Sequence, residues 1–210
     1  TASFTPTDDS IYEGNETGIV AISTVSGGSA TEDGTQSVTI TINEDETAPV
    51  VNLSINNSSI AENSDGTITV TATLSFATII NTTVVIDTSG TATEGTDYGS
   101  ISDITINAGD TTGTATFDPT DDSIYEGNET ATVSIASVVG ADAGSTTSQT
   151  ITITDNESAP TVTLATSATS IAENAGSSLT LTATLSVATT ADVTVGISTS
   201  GTGTEGTDYS

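Results

Sequence analysis

The chain has 210 residues, 28 acidic side chains and no lysine, arginine, histidine or cysteine, which gives a formal charge of −28. Without basic side chains it cannot neutralise phosphates, so nucleic acid is excluded as a partner, and no run of about 18 apolar residues supports membrane insertion. The absence of cysteine excludes disulfides and thiolate metal sites, and the absence of basic side chains excludes salt bridges between side chains.

Shared segments show that the chain is built from repeats. Residues 6–17, PTDDSIYEGNET, recur letter for letter at 119–130. Three more pairs recur at an offset of 111 residues, and they are ITINEDETAP (40–49) with ITITDNESAP (151–160), SIAEN (59–63 and 170–174) and EGTDY (94–98 and 205–209). We therefore expect the C-terminal half of a repeat at 1–48 (the first half-repeat), a complete repeat at 49–158, and the N-terminal half of a further repeat at 159–210 (the last half-repeat).

Within the complete repeat, seven segments have the alternation or the β-branched enrichment of strands. In chain order they are VVNLSIN, GTITVTATLS, NTTVVIDTS, SDITIN, TATFDPT, ATVSIASVV and QTITITD. Gly, Asp, Asn and Ser separate them, and no segment shows apolar residues at helical spacing. This pattern predicts an all-β, antiparallel sandwich whose core contains Val, Ile and Leu together with Tyr98, Phe117 and Tyr125.

The junctions between repeats are short. TDNESAPTVTL leads from the last strand of one repeat to the first strand of the next without a Gly/Ser linker. Pro49 and Pro160 stiffen the two junctions further, because proline fixes φ. Adjacent repeats are expected to abut.

The acidic residues gather in the predicted loops, where no basic side chain can neutralise them. Each carboxylate must therefore be solvated, hydrogen-bonded or bound to an added cation. Calcium takes roughly six to eight oxygen ligands, whereas zinc and copper favour the histidine and cysteine that the chain lacks. Because the EF-hand pattern is not met, the sequence predicts Ca²⁺ held by several separate loops.

Read together, ITITDNE, AEN, GTDY, AGDTTGTATF and DDSIYEGNETATVSI resemble the Calx-beta repeat, and the resemblance covers the whole chain in two staggered periods. That family occurs in sodium–calcium exchangers, some integrin subunits and large bacterial surface proteins. The resemblance implies tandem immunoglobulin-like, seven-stranded antiparallel β-sandwiches. It also implies calcium in the loops at one end of each sandwich, next to the following domain.

The resemblance further implies metal ligands at matching positions. In the complete repeat they are Glu62, Asp97, Asp121, Asp122, Glu126, Glu129 and Asp155. In the half-repeats they are Asp8, Asp9, Glu13, Glu16, Glu173 and Asp208. The family's acidic triplet after the last strand departs from its pattern twice, since it reads Asp-Asn-Glu at 155–157 and Glu-Asp-Glu at 44–46.

The expected function is structural and not enzymatic, since no Ser–His–Asp set can form without histidine. We expect a calcium-stiffened repeat segment of a long extracellular surface protein, adhesin stalk or filament, with neighbouring repeats of the same chain or identical chains as partners. The alternatives are a calcium-sensing regulatory module and an adhesin domain for a cell-surface or glycan ligand. The half-repeats indicate either a window from a longer array or half-repeats of neighbouring chains that complete each other.

Overall fold

The computed structural model describes residues 1–210 and contains fifteen strands and no helix. The strands are β1 (Glu16–Ala21), β2 (Ser37–Ile42), β3 (Val50–Ile55), β4 (Ser59–Ala61), β5 (Ile68–Leu74), β6 (Thr82–Gly90), β7 (Ile104–Ile106), β8 (Thr112–Phe117), β9 (Ile124–Tyr125), β10 (Glu129–Val139), β11 (Asp142–Ala143), β12 (Ser148–Thr154), β13 (Val162–Thr166), β14 (Leu181–Leu185) and β15 (Ala188–Thr189). They form two compact units, residues 1–121 with 129–154 and residues 122–128 with 155–210.

The first unit contains a β-sandwich of two sheets. One sheet has the strand order β4-β12-β10-β6-β7 and the other has the order β11-β3-β5-β8. All seven strands expected from the sequence are present, and most neighbours pair antiparallel. The short strands β4 and β11 were not expected, and they pair in parallel with β12 and β3 respectively. Each covers a sheet edge that would otherwise expose unpaired backbone groups.

The core lies between the two sheets. It is built from the residues of both sheets that face inward, which alternate with exposed residues along each strand. It contains Val51, Leu53, Ile68, Val70, Val84, Ile104, Ile106, Phe117, Val133, Ile151 and Ile153, which are at most 3% exposed. Tyr98 joins them, with its ring stacked on Phe117 at a centroid distance of 4.8 Å. The expectation for Tyr125 was wrong. This residue is half-buried and lies outside the core, because β9 belongs to the second unit and pairs there with β15.

The first half-repeat contributes the hairpin β1–β2 to the first unit. Its register places Glu16 opposite Ile42, which repeats the pairing of Glu129 with Ile153 between β10 and β12. The hairpin therefore reproduces, residue for residue, one strand pair of the complete repeat.

The second unit contains the hairpin β13–β14 and the short parallel pair β9–β15. In β13–β14, Val162 lies opposite Leu185, as Val51 lies opposite Leu74 between β3 and β5. The pair β9–β15 joins residues 122–128, the acidic loop of the complete repeat, to the last half-repeat. The structure contains no helix of a length and apolarity suited to crossing a membrane.

Candidate metal centre

One end of the sandwich presents two predicted ligands on neighbouring strand ends. Glu62 follows β4, and its N–H donates to the carbonyl of Thr154 at the end of β12 (3.1 Å). Glu129 opens β10 and lies opposite Ile153 of β12. Since β12 runs between β4 and β10, the two glutamates flank the end of a single strand. Glu62 is only 7% exposed, and the chain has no basic side chain to neutralise a carboxylate buried to this degree.

Asp97 and Asp121 lie at the same end of the sandwich. Asp97 is in the turn after β6, a strand that ends beside the start of β10, where Glu129 is. Its Oδ2 accepts a hydrogen bond from the N–H of Thr93 (2.6 Å), and its carbonyl accepts one from Thr120 (2.9 Å). The second bond holds the Asp97 turn beside the segment that leads to Asp121. The first unit thus gathers four of the predicted ligands at one end.

The first half-repeat contains a group of three carboxylates that lies entirely within the first unit. Asp8, Asp45 and Glu46 each offer one carboxylate oxygen, and these oxygens lie within 4.8 Å of one another. Asp8 precedes β1, whereas Asp45 and Glu46 follow β2, so the antiparallel pairing of β1 with β2 brings them together. Like charges at this separation repel each other, and the group therefore favours a cation.

A backbone turn in the same half-repeat holds a fourth carboxylate. The N–H groups of Glu13 and Gly14 both donate to Glu44 Oε2 at 2.6 Å, and the N–H of Glu46 donates to Glu44 Oε1 at 3.0 Å. Asn15 completes the arrangement, because its Oδ1 accepts from the N–H of Glu44 (2.9 Å). The turn depends on Gly14, whose φ of +76° lies in the left-handed region that favours glycine.

The protonation of this loop is uneven. A hydrogen bond between the side chains of Glu44 and Glu46 lowers the pKa of Glu44 to about 2 and raises the pKa of Glu46 to about 7. The backbone N–H groups of the turn also favour the ionised form of Glu44. Partial burial, followed by the negative charge of Glu16, raises the pKa of Glu13 above its usual range. Glu44 therefore stays ionised over a wide pH range, whereas Glu46 holds its proton up to a higher pH than an isolated glutamate does.

In the second unit, Asp155 takes the place that Glu44 has in the first. Its Oδ2 accepts from the N–H groups of Glu126 (2.7 Å) and Gly127 (2.5 Å), and its Oδ1 accepts from Glu157 (2.7 Å). Gly127 has a φ of +77°, as the tight turn expected from the sequence requires. Burial raises the pKa of Asp155, but these backbone donors outweigh it and hold the pKa below the usual range. Both oxygens of Asp155 are therefore used to shape the acidic loop.

Other predicted ligands also fix local turns. Asp9 and Asp122 are equivalent, and each accepts a hydrogen bond through Oδ1 from the N–H two residues on, at 2.8 and 2.7 Å respectively. In the last half-repeat, Asp208 Oδ2 accepts from the N–H of Thr204 (2.8 Å), as Asp97 does from Thr93. Asp208 and Glu173 line the same open cleft of about 750 Å³.

Sequence reasoning missed two members of the Asp8, Asp45 and Glu46 group, Asp45 and Glu46. The signal was present, since both belong to the acidic triplet after the last strand, but no position of this triplet was predicted as a ligand, and in the complete repeat only its first position, Asp155, was. Conversely, Asp9, Glu13 and Glu16 were predicted as ligands and are not members of that three-oxygen group.

The donor set fits a hard divalent cation. All candidate ligands are oxygen atoms, and calcium accepts carboxylates and carbonyls in flexible geometry. In the second unit, Glu157 Oε2 is buried and has no hydrogen-bond partner. A bound cation would offset the energetic cost of burying this oxygen. In the first half-repeat, Asp8, Asp45 and Glu46 would hold the ion, and the ion would supply the positive charge that the chain lacks.

A family model described as the Calx-beta domain matches residues 3–46, 44–157 and 155–210. Among solved structures, an apo-form Calx CBD1 domain is 19% identical with a TM-score of 0.44, and the match covers 51% of this chain and 99% of that chain. CBD12 from CALX1.2 is 20% identical with a TM-score of 0.45, and the match covers 50% of this chain and 44% of that chain. No curated protein matches the chain. Since the family model matches three successive segments that together span nearly all of the sequence, the chain belongs to the Calx-beta domain family.

Proposed function

We propose that the chain is a calcium-stiffened repeat segment of a long extracellular surface protein, of the kind that forms an adhesin stalk or filament. The proposal assigns it a structural role and no catalysis. The observation that carries it is the Asp8, Asp45 and Glu46 group, three carboxylate oxygens within 4.8 Å of one another in a chain without a basic side chain. A divalent cation converts the repulsion within such a group into binding energy.

Contacts at both junctions support stiffening. In the second unit, β9 of the acidic loop pairs with β15 of the last half-repeat, so this loop touches the repeat that follows it. In the first unit, a Cβ placed on Gly14 of the equivalent loop would lie 3.9 Å from Ile80 of the complete repeat. An ion held by either acidic loop would therefore also restrain the loop that follows the second strand of the next repeat.

Small-angle X-ray scattering of the chain, with millimolar calcium and then with excess chelator, tests the proposal. We expect calcium to narrow the distribution of maximum dimensions and chelator to broaden it. The control is the double variant Asp8→Asn/Asp45→Asn, which keeps the size of both side chains but removes two charges, and its response to calcium should be smaller. Identical scattering of the parent chain in calcium and in chelator would refute calcium-dependent stiffening.

Calcium sensing is the competing function, because the family also occurs in exchangers. The two functions differ in affinity, since extracellular structural modules bind calcium at roughly 10⁻⁴–10⁻³ M and cytosolic sensors bind far more tightly. Isothermal titration calorimetry separates them. We expect a dissociation constant of roughly 10⁻⁴–10⁻³ M. A sub-micromolar dissociation constant, together with a large change in circular dichroism, would instead support the sensor.

A further inference from the structure

Seven segments of the chain have the pattern Asn-x-Ser/Thr that N-glycosyltransferases modify, and none has proline in the middle position. The sugar is attached to the side-chain nitrogen Nδ2 of the asparagine, so the pattern is useful only where this side chain is accessible in the folded chain. The hydrogen bonds of the side chains separate the seven segments into two kinds. Their asparagines are Asn15, Asn52, Asn56, Asn57, Asn81, Asn128 and Asn156.

Five of these asparagines hold distant parts of the chain together. Each accepts a hydrogen bond through Oδ1 from the backbone N–H of a residue at least 13 positions away, over 2.9 to 3.3 Å. The pairs of acceptor and donor are Asn15 with Glu44, Asn52 with Thr146, Asn56 with Thr69, Asn81 with Ala108, and Asn128 with Asp155. These bonds restrain the side chains and give each of the five a structural role.

Asn57 differs from these five because its bond is local. Its Oδ1 accepts from the N–H of Ser59, the third residue of its own pattern, at 3.3 Å. This is an Asx turn, in which the side chain binds the backbone two residues further on. The bond uses Oδ1, whereas Nδ2 lies on the other branch of the carboxamide. Residues 56–59 are all exposed, and they lie where the chain crosses from β3 of one sheet to β4 at the edge of the other.

The corresponding turn of the last half-repeat forms without an asparagine at this position. Ser167 takes the position of Asn56, and each side chain accepts a hydrogen bond from the N–H of a threonine 13 residues further on, at 3.0 and 2.9 Å respectively. The N–H groups of both residues also donate to the carbonyl of that threonine. Asn57, by contrast, is replaced by Ala168, which has no polar side-chain atom. The turn therefore requires the side chain of Asn56 or a substitute for it, but not the carboxamide of Asn57.

We propose that Asn57 is a site of N-linked glycosylation. In this reaction, Nδ2 attacks the anomeric carbon of a sugar that is activated by a nucleoside diphosphate or a lipid diphosphate. The bond from this carbon to Nδ2 forms while its bond to the diphosphate oxygen breaks, so the diphosphate leaves and Nδ2 gives up one proton. The inference rests on the proposed function in one respect, since an extracellular protein meets such enzymes on its way out of the cell.

A glycan on Asn57 would project from the side of the complete repeat. Glu62 follows the other end of β4, so the glycan would leave this predicted metal ligand uncovered. β4 is the edge strand of its sheet, and an open strand edge can pair with another chain. A bulky, hydrated glycan beside β4 would hinder such lateral pairing, while the ends of the sandwich stay accessible to neighbouring repeats.

Glycosylation of the folded chain in vitro tests the proposal. A soluble N-glycosyltransferase with UDP-glucose is added to the folded chain and, separately, to its peptides from an aspartate-specific protease, which leaves all seven patterns intact. We expect the folded chain to gain one hexose, located at Asn57 by fragmentation in the mass spectrometer, whereas the peptides should gain hexose at several patterns. A folded chain without hexose at Asn57, or one modified as fast at Asn81 or Asn128, would overturn the proposal.

Two serine substitutions in the same turn provide a matched pair. Ser59→Ala removes the hydroxyl of the Asn57 pattern and should abolish the modification, whereas Ser58→Ala removes the hydroxyl of the overlapping Asn56 pattern and should leave it unchanged. Both serines are exposed, so neither substitution should alter the thermal transition. Equal modification of the two variants would contradict the proposal. The scattering response to calcium should be the same with and without the hexose, so a failure of glycosylation and a failure of calcium-dependent stiffening are separate results.

Discussion

Two acidic loops of the molecule can be compared directly, because each contains a backbone turn that binds a carboxylate. The first loop comprises residues 9–15 and 44–46, and the second comprises residues 122–128 and 155–157. Their loop sequences are identical, but the acceptor is Glu44 in one and Asp155 in the other. Both accept the same two N–H groups from the turn and a third from two residues further on. Glu44 is one methylene longer than Asp155, yet its side chain accepts the same three hydrogen bonds. The turn therefore specifies where a carboxylate must be, and the length of its side chain is secondary.

The largest effect is expected from removing the acceptor in the second unit. Asp155→Ala leaves three N–H groups without their carboxylate, and hydrogen bonds to a charged group contribute roughly 1.5–3 kcal/mol each when buried. Because the loop is half-buried, we expect a total loss of about 2–3 kcal/mol. Hydrogen exchange should be faster at the Glu126 and Gly127 amides of the variant than in the parent chain. Urea unfolding of both proteins should give the difference in the free energy of unfolding.

Asp155→Asn is the matched control for this substitution, since it keeps the shape and one acceptor oxygen. Its effect should be clearly smaller. If Glu44→Ala did not also speed exchange at Glu13 and Gly14, the equivalence of the two loops would be disproved.

The dependence of stability on pH should give the next largest difference between the two loops. In the first half-repeat, the pKa of Glu46 is raised to about 7 by its hydrogen bond to Glu44. A raised pKa favours the protonated form in the folded state. Its stabilising contribution is therefore full below the unfolded value of about 4.5 and is lost as pH rises through about 7. For Glu44, with its pKa lowered to about 2, the contribution is present above about 4.5 and is lost as pH falls toward 2.

Calcium should compete with the proton on Glu46, so its affinity for the Asp8, Asp45 and Glu46 group should fall about tenfold between pH 8 and pH 6. Carbon-13 NMR of the Glu46 carboxyl group should give a midpoint near 7 in chelator and a lower one in calcium. Glu46→Gln removes this titration and should flatten the pH dependence of calcium binding at this group. A midpoint that calcium does not move would separate Glu46 from the site.

Glycine substitution should give the smallest effect. Gly127→Ala places a side chain at a φ of +77°, which costs about 1 kcal/mol or slightly more for an L-residue. Gly14→Ala should cost a similar amount, because its φ is +76°. Gly196→Ala is the control, since its φ lies outside the left-handed region and no atom lies within 4 Å of the added Cβ. In thermal unfolding, the two turn variants should have similar melting temperatures, and both should be lower than that of the control.

The sequence was sufficient to predict the sandwich because alternation and β-branching report which face of a strand is buried. It predicted all seven principal strands of the complete repeat. It could not predict β4 and β11, because two or three residues that pair in parallel along a sheet edge carry no periodic signal. Their positions depend on where the chain crosses between sheets, which is a tertiary property.

The candidate site was predictable as a set of acidic loops, but the role of each carboxylate was not. Sequence spacing cannot tell that both oxygens of Asp155 accept backbone N–H groups while Asp45 faces a shared group of oxygens. These roles follow from the turn at Gly127 and from the pairing of β1 with β2. The composition did reveal the lack of any basic partner, and this remains the strongest sequence argument for a cation.

The parallel edge strands have a mechanical consequence. The chain enters the complete repeat at Val50, beside β11, and leaves it at Thr154, beside β4. Since β11 leads into β12 along β3, the entering and leaving strands run in the same direction, and these two points lie at opposite ends of the sandwich. Tension along the polypeptide would therefore slide β3 and β4 past β11 and β12. The hydrogen bonds of both parallel pairs would then be loaded together in shear, and we expect the complete repeat to resist this pull until several of them break at once.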